Sequence, residues 1–239
     1  MQFERRALPE GAIAWIDPDW PDPDGLARVI ATRAGVPRQP GAVMHKDDPA
    51  SWVATIPLAT GRYLVKHYRR QPFRRELGRA LRRAKALHSC EMARAVAALG
   101  IDTFRPAAIV TEPFCGVLRR GAYLITEALP GMTARQFFAD PASSPAARRA
   151  VARQMVDILQ RLHAAGFVHG DAKDANFLID GERVSLVDFD ETARPRLRRE
   201  TLRRKDWRQL MHNWRADPAT AALFQSMVPP ASLPRPASP

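Results

Sequence analysis

Cysteine and long apolar runs are both scarce in this sequence of 239 residues. The two cysteines, Cys90 and Cys115, do not form a spaced metal motif, and we expect two free thiols rather than a disulfide. No apolar run approaches the ~18 residues of a membrane-spanning helix, so the sequence predicts none. The N-terminus also lacks the apolar core of a signal peptide. These absences favour a protein that stays in the cytoplasm.

Lysine is scarce as well, whereas arginine is abundant. Lys and Arg together number 37 against 25 Asp and Glu, which gives a net charge of +12. The lysines are Lys46, Lys66, Lys85, Lys173 and Lys205. An excess of positive charge favours an anionic partner such as nucleic acid, an acidic lipid or a phosphorylated substrate, although a solvated basic surface would have the same composition. In a chain so rich in arginine, a lysine marks a position that favours a compact ammonium group over a planar guanidinium group.

The order of predicted elements indicates an α+β fold. Hydrophobic residues make up 46% of the chain, which is typical of a globular protein, and the length suits one two-lobed domain. Residues 1–40, rich in Pro and Asp, are predicted to form a loop and then a short helix over 26–34. Strand patterns begin at residue 43 and continue over 52–56, 63–68, 107–111 and 122–127, with a helical segment over 73–99.

The second half of the chain is predicted to be mostly helical. A Pro-Gly break at residues 130–131 marks the lobe boundary, and capping patterns at 133–136, 144–145 and 217–218 predict the starts of three helices. A hairpin is predicted over 176–180 and 183–187, followed by a long helix. The predicted domains are an N-terminal extension (1–40), a sheet lobe (41–129), a helical lobe (130–227) and a disordered tail (228–239).

The clearest chemistry is in residues 169–176 (HGDAKDAN), which are followed by residues 187–190 (VDFD). The two segments supply a carboxylate, a cation two positions later, an amide oxygen, and a second carboxylate beyond a short hairpin. Phosphoryl transfer from a magnesium nucleotide needs this set, because one acid accepts a hydroxyl proton, one cation steadies the moving phosphoryl group and two oxygen ligands hold the metal. The spacing H-x-D-x-K-x-x-N…D-F-x resembles the catalytic and metal-binding loops of the protein-kinase-like superfamily.

Each functional residue of these segments has a predicted role. Asp171 is the expected base, and Lys173 is expected near the γ-phosphate. Asn176 and Asp188, at either end of the hairpin, are the expected magnesium ligands. His169 is expected to brace the loop by hydrogen bonding and not to act as the base. Taken one at a time, these residues would be interpreted as a turn, a solvated lysine and polar strand ends, but their combined spacing favours the functional interpretation.

Nucleotide binding is predicted on the first lobe. Lys66 lies in the strand over 63–68, where alternation places it on the same face as Leu64, and a lysine on the cleft face can hold the α- and β-phosphates. Its expected partner is a helix carboxylate, for which Glu91 is favoured over Glu76 because Glu91 borders an apolar helical stripe. The predicted nucleotide-binding residues are Lys66, Glu91, Glu127 and Leu129, of which the last two lie next to the lobe boundary.

Two features of protein kinases are missing. No G-x-G-x-x-G lies between residues 43 and 66, so the cover over the nucleotide phosphates must differ from that of protein kinases. Only 17 residues separate Asp188 from Asp206, with no A-P-E, and 51 residues follow Asp188. An activation segment and a peptide-docking platform do not fit in that space, which favours an acceptor other than protein. Asp190 stands in place of the D-F-G glycine, and its role toward a metal is left open.

Together, these motifs resemble the lipopolysaccharide core kinase family, the bacterial Kdo and heptose kinases. The resemblance covers about residues 43–215 and is carried by residues 64–68 (LVKHY), 100–106 (GIDTFRP), 169–178 (HGDAKDANFL), 187–190 (VDFD) and 204–210 (RKDWRQL). It implies a protein-kinase-like bilobal fold, ATP and magnesium as cosubstrates, and a sugar hydroxyl of the lipopolysaccharide inner core as acceptor. It also implies that the enzyme works at the cytoplasmic face of the inner membrane, and that Asp206 braces the catalytic loop.

An arginine-rich segment follows the second predicted metal ligand. Its cations are Arg194, Arg196, Arg198, Arg199, Arg203, Arg204, Lys205 and Arg208. Arginine forks bind phosphate oxygens in pairs, so a phosphorylated, anionic glycolipid and the acidic membrane surface both match this segment. A solvated basic helix is the alternative interpretation.

Other functions are weighed against the sugar kinase. A kinase for another small molecule or for a protein would use the same catalytic loop. A catalytically silent, kinase-like binding module in envelope assembly is favoured by the missing glycine loop and opposed by the presence of all four catalytic-loop and metal positions. Nucleic-acid binding has only the charge in its favour, so we expect no nucleic-acid partner. The oligomeric state is left open.

Overall fold

The structure is a computed structural model that describes residues 3–59, 61–69, 85–115 and 118–228. Contacts within the chain group it into two compact units. Unit 1 comprises Met1–Glu91 with Phe104–Ala128, and unit 2 comprises Met92–Thr103 with Leu129–Pro239. The chain therefore enters unit 2, returns to unit 1, and leaves it again after Ala128.

Within the described residues, unit 1 is built on a seven-stranded antiparallel sheet. The strands are β1 (Glu4–Ala7), β2 (Ile13–Ile16), β3 (Val43–Asp47), β4 (Ser51–Leu58), β5 (Gly61–Arg69), β6 (Pro106–Cys115) and β7 (Leu118–Glu127). Their order across the sheet is β1-β2-β6-β7-β5-β4-β3. The strands predicted between residues 43 and 127 are confirmed, and β5 pairs with both β4 and β7.

The beginning of the chain contributes to this sheet, which corrects the loop predicted there. β1 and β2 form a hairpin, and β2 pairs with β6, so that Ile13 lies opposite Thr111. Both strands are only four residues long, too short to show a clear alternation of polar and apolar side chains. The pairing between β2 and β6 also joins segments far apart in the sequence, and local patterns do not reveal such a partner.

Helix α1 (Pro23–Thr32) packs against the sheet. It begins before the predicted residue 26, because the Asp22 side chain caps it by accepting a hydrogen bond from Gly25 N at 2.9 Å. The core of unit 1 includes Leu26, Val29, Ile30 and Val36 from this region and Tyr63 and Val65 from β5. Because side chains alternate along a strand, Lys66 lies on the other face of the sheet from this core cluster.

Helix α2 (Lys85–Ala97) covers part of the segment predicted to be helical over 73–99. Residues 73–84 of that prediction, which include the alternative partner Glu76, lie outside the described residues. After α2, Gly100 adopts a left-handed φ of +71°, a conformation that favours glycine past the end of a helix. Cys90 on α2 is buried and is a free thiol, whereas the side chain of Cys115 lies outside the described part of the chain.

Unit 2 is mostly helical and contains a small three-stranded sheet. Its elements after residue 129 are β8 (Met132–Thr133), α3 (Ala134–Ala139), α4 (Pro145–Ala164), β9 (Phe177–Asp180), β10 (Arg183–Leu186), α5 (Arg199–Asn213) and α6 (Pro218–Gln225). The predicted helix starts are confirmed. Thr133 and Gln136 form a capping box, and the side chains of Ser144 and Asp217 cap α4 and α6.

The predicted disordered tail falls almost entirely on residues 229–239, which lie outside the described residues, and it stays a prediction. Among the helices that the structure describes, none combines the length and the apolar character needed to cross a membrane.

Candidate active site

The catalytic-loop residues 169–176 lie between α4 and β9 and are held by Asp206 of α5. Asp206 is fully buried, and its two oxygens accept hydrogen bonds from the backbone N–H groups of His169 and Gly170, each at 2.8 Å. His163 Nε2 lies 2.9 Å from Oδ2 of the same carboxylate. Hydrogen bonds to a charged acceptor are stronger than neutral ones. The prediction that Asp206 braces this loop is confirmed.

The loop also contacts the segment that follows the hairpin. Gly170 has a φ of +81°, and a Cβ at this position would lie 2.6 Å from the carbonyl oxygen of Glu191, so only glycine fits. Thr192 Oγ1 donates a hydrogen bond to His169 O at 3.1 Å. Val168 and Ala193 form an antiparallel backbone bridge. These contacts fix the catalytic loop against residues 191–193.

Asp171 and Lys173 form an ion pair. Lys173 Nζ lies 2.9 Å from Asp171 Oδ1 and 3.0 Å from Oδ2. Gln209 Nε2 donates a further hydrogen bond to Asp171 Oδ1 at 3.3 Å. The Asp171 side chain is 23% exposed and that of Lys173 is 58% exposed. Asn176 Nδ2 also lies 3.5 Å from Oδ2. The carboxylate is therefore oriented by three side chains while it stays accessible, which is what a general base requires.

The β9–β10 hairpin brings Asn176 next to the segment that carries Asp188. Val187 N donates a hydrogen bond to Asn176 O at 2.9 Å, which extends the hairpin pairing by one step. Asn176 Nδ2 donates to the backbone oxygen of Asp171 at 2.8 Å, and none of the described residues donates to Asn176 Oδ1. Asp188 is half-buried with a left-handed φ of +62°. A non-glycine residue keeps this conformation only where the surrounding structure fixes it, as at many functional sites.

Asn176 and Asp188 carry the donor types that magnesium prefers. Amide and carboxylate oxygens are hard ligands, and Mg²⁺ usually takes one or two carboxylates and completes its shell with phosphates and water. Groups of three or more His, Cys, Asp or Glu suited to a metal are absent from the part of the chain that the structure describes. A magnesium ion held by Asn176 and Asp188 would take its remaining ligands from nucleotide phosphates and water.

His169 braces the loop, as predicted. It is fully buried, its Nε2 donates a hydrogen bond to Val187 O at 3.1 Å, and its ring meets the edge of Phe189 at 5.9 Å. Burial lowers the pKa of His169 more strongly than the nearby Asp206 carboxylate raises it. The imidazole is therefore neutral, and its contact with Val187 links the catalytic loop to the residue before Asp188.

Three more residues of α5 contact the loop and are not predicted from the sequence. Lys205 Nζ donates to Gly170 O at 2.7 Å, and Asn213 Nδ2 donates to Ala172 O at 3.3 Å. Gln209, besides contacting Asp171, accepts a hydrogen bond from Ala172 N at 3.3 Å. Gln209 and Asn213 follow Asp206 by about one and two helical turns, so helical spacing from Asp206 is the signal that could have identified them.

The predicted nucleotide-binding residues Lys66, Glu91 and Glu127 belong to unit 1 and Leu129 to unit 2. Lys66 is buried in the middle of β5, and its Nζ lies 5.2 Å from the ring centre of Tyr68, on the same face. Glu91 lies on α2 and is half-buried. The Glu127 carboxylate accepts a hydrogen bond from Arg105 N at 2.8 Å. Leu129 is half-buried.

The turn between β3 and β4 is closed by the side chain of Asp48. Asp48 Oδ1 accepts hydrogen bonds from Ala50 N and Ser51 N, both at 2.8 Å. Hydrogen bonding to the Lys46 ammonium and to these N–H groups lowers the pKa of Asp48 to about 2. An internal carboxylate thus occupies the backbone N–H groups at the tip of this hairpin, where a glycine loop would leave them open to phosphate.

Known proteins are similar to this chain in sequence and in fold. The model of the lipopolysaccharide kinase (Kdo/WaaP) family matches residues 52–228. Among solved structures, one described as WaaP in complex with acyl carrier protein is similar, with a TM-score of 0.58 and 16% sequence identity over 91% of this chain and 90% of that chain. A search of curated proteins finds no match. At this identity the structural similarity shows the fold alone.

The family and fold predicted from the motifs are confirmed by these findings. The family match covers most of the chain, including Lys66 and the whole catalytic loop. The α+β architecture, with its antiparallel sheet and its helical second half, agrees with the protein-kinase-like fold of the solved relative. The chain belongs to the lipopolysaccharide kinase (Kdo/WaaP) family and is a kinase with a protein-kinase-like fold.

Proposed function

We propose that the chain uses ATP and magnesium to phosphorylate a sugar hydroxyl, of Kdo or heptose, in the inner core of lipopolysaccharide. The observation that carries this proposal is the arrangement around Asp171. An accessible carboxylate is paired with a lysine, and an asparagine at hydrogen-bond distance is followed across the hairpin by a second aspartate. Family membership supports the choice of a lipopolysaccharide acceptor.

In the proposed reaction, the acceptor hydroxyl oxygen attacks the γ-phosphorus of ATP, the bond from that phosphorus to the bridging oxygen breaks, and ADP leaves. Asp171 takes the hydroxyl proton. Lys173 stabilises the negative charge on the transferred group, and its ammonium lies 2.9 Å from the Asp171 carboxylate that is proposed to take the proton. Asn176 and Asp188 would hold the magnesium ion, which when bound neutralises charge on the ATP phosphates.

Lys66 is the proposed ligand of the α- and β-phosphates. It is a buried lysine on the interior strand β5, and the same face of that strand presents Leu64 and Tyr68. A buried ammonium is stable only beside negative charge, which a nucleotide phosphate or a carboxylate such as Glu91 supplies. We propose Glu91 as the carboxylate that orients Lys66, and Glu127 and Leu129 as neighbours of the nucleotide base.

The acceptor is proposed to be a phosphorylated glycolipid at the cytoplasmic face of the inner membrane. Residues 194–208 carry eight cations, and Glu200 is the single exposed acid in that stretch. These residues lead into and form part of α5, the helix whose Asp206 braces the catalytic loop. Positive charge next to the base favours an anionic acceptor over a neutral sugar.

The test is mass spectrometry of lipopolysaccharide from a strain that lacks this gene. We expect one phosphate fewer on the inner core, restored by the wild-type gene and by Asp180→Ala, and not restored by Asp171→Ala. Asp180 is an exposed aspartate at the end of β9 and serves as the matched control. Restoration by Asp171→Ala would contradict the proposal and support a binding module whose role needs no phosphoryl transfer.

A further inference from the structure

The most exposed large apolar side chain in the described part of unit 2 lies in the middle of the most basic stretch of that unit. Leu197 is 82% exposed, compared with 46% for Val43, 41% for Met44 and 39% for Met132, the other large hydrophobic residues exposed in the described part of the chain. Arg196 and Arg198 flank it, and both are exposed. Arg194 and Arg199 follow on either side. We name residues 194–199 the Leu197 loop.

Some of the surrounding cations are used inside unit 2, whereas those next to Leu197 are not. Arg203 Nη2 donates a hydrogen bond to His163 O, Lys205 contacts Gly170 O, and Arg194 stacks on the ring of Phe167 at 5.4 Å. In contrast, the side chains of Arg196 and Arg198 make no hydrogen bond or ion pair with any described residue, although Arg198 O accepts a backbone hydrogen bond from Leu202 N at the start of α5. Their guanidinium groups are available to an external anion.

The backbone of the loop is fixed rather than loose. Arg198 has a left-handed conformation with φ 54° and ψ 29°, which is uncommon for a residue with a side chain. Arg199 Nε donates to Pro195 O at 2.7 Å, which closes the loop on itself. The backbone bridge between Val168 and Ala193 fixes the residue just before the Leu197 loop, and α5 starts at the last residue of the loop. The exposed leucine is thus presented from a defined turn that begins beside the catalytic loop.

We propose that the Leu197 loop is the site at which this kinase docks on a bilayer containing anionic phospholipids. Leu197 enters the boundary between headgroups and acyl chains, and Arg196 and Arg198 bind the phosphates around it. An exposed apolar residue flanked by two exposed arginines is the combination that interfacial binding requires, because hydrophobic burial and attraction to an anionic surface act together. A soluble phosphorylated ligand would account for the arginines but would leave Leu197 in water.

This inference deepens the proposed function, since a bilayer beside the catalytic loop would present a membrane-bound glycolipid to Asp171. The vesicle-binding assay uses neither ATP nor acceptor. Co-sedimentation of the full chain is measured with vesicles of phosphatidylcholine alone and with vesicles that contain about 30% phosphatidylglycerol. We expect binding to the anionic vesicles, weakening as salt is raised, and little binding to neutral ones.

Variants distinguish binding through the Leu197 loop from non-specific attraction by the positive charge of the protein. R196S with R198S is expected to lower the partition coefficient about 25-fold, from about fivefold for each arginine near an anionic surface. L197S is expected to lower it about tenfold. The matched controls are R149S with R153S, two exposed arginines of α4, and M132S, an exposed methionine. For each control, the fold-decrease in the partition coefficient is expected to be less than half of that of the corresponding loop variant.

Two outcomes would overturn the inference. The first is equal binding of the loop variants and the controls. The second is no binding of the wild type to anionic vesicles while these arginines bind an acidic protein such as acyl carrier protein. Stabilisation by Mg-ATP, measured on the same variants, is expected to be unchanged. A loop variant that loses vesicle binding and keeps this stabilisation supports the docking surface, whatever the identity of the acceptor sugar.

Discussion

Replacement of Asp206 by alanine is expected to destabilise unit 2 and inactivate the kinase. The buried carboxylate accepts hydrogen bonds from His169 N and Gly170 N and contacts His163 Nε2, all at 2.8–2.9 Å. Asp206→Ala leaves these donors buried without an acceptor, and an unsatisfied buried donor costs about 1–3 kcal/mol. Breaking a buried charged network costs about 3–5 kcal/mol in total, which is our expectation for the free energy of unfolding.

Thermal and urea denaturation measure this loss. For a chain of this size, 1 kcal/mol lowers the Tm by about 2–4 °C, so Asp206→Ala is expected to lower it by roughly 6–20 °C. The control is Asp157→Ala, which removes an exposed pair with Arg161 at 3.5 Å and is expected to cost less than about 1 kcal/mol. If the two variants lose the same stability, the assignment of Asp206 as the central brace is wrong.

Three other changes have expected results. Burial lowers the pKa of His67 to about 4 from 6.5, so the unfolded chain binds a proton that the folded chain does not, and stability decreases as the pH falls from about 6.5 to about 4. With His67→Phe, the midpoint of urea denaturation is expected to fall less steeply between these pH values than in the wild type. An unchanged dependence of the midpoint on pH would contradict the assignment of this decrease to His67. Asn176→Ala is expected to remove most of the about 2.7 kcal/mol of stabilisation that Mg-ATP gives at a hundred times its Kd, measured by thermal shift. A full shift in this variant would exclude Asn176 as a magnesium ligand. Lys66→Ala is expected to raise KM for ATP about 10- to 100-fold through loss of a charged hydrogen bond to phosphate, whereas an unchanged KM would remove Lys66 from the nucleotide site.

Local sequence signals predicted unit 2 well, because its key features depend on neighbours in the sequence. The spacing of Asp171, Lys173 and Asn176 fixes their positions within one loop, and the hairpin that follows needs only two short strands and a Gly turn. Caps at Thr133, Ser144 and Asp217 are local as well, since each side chain bonds to a backbone N–H three residues later.

Long-range pairings and side-chain placement were the parts that the sequence could not supply. The pairing of β2 with β6 joins residues far apart, so the first two strands were predicted as a loop. The start of α1 was missed although Asp22 before Pro23 is a capping signal, because the surrounding Pro and Asp residues favoured a loop. Gln209 and Asn213 carry no motif of their own, and only the position of α5 against the loop gives them a role.

The central claim is that Asp171 accepts the proton during transfer of phosphate from ATP. The most direct measurement is the transfer rate from radiolabelled ATP to lipopolysaccharide core that lacks the phosphate, for the wild type, Asp171→Asn and the exposed control Asp180→Asn. We predict a rate about 10²- to 10⁴-fold lower for Asp171→Asn, with Mg-ATP stabilisation retained, and no change for Asp180→Asn. Transfer by Asp171→Asn at the wild-type rate would contradict the account.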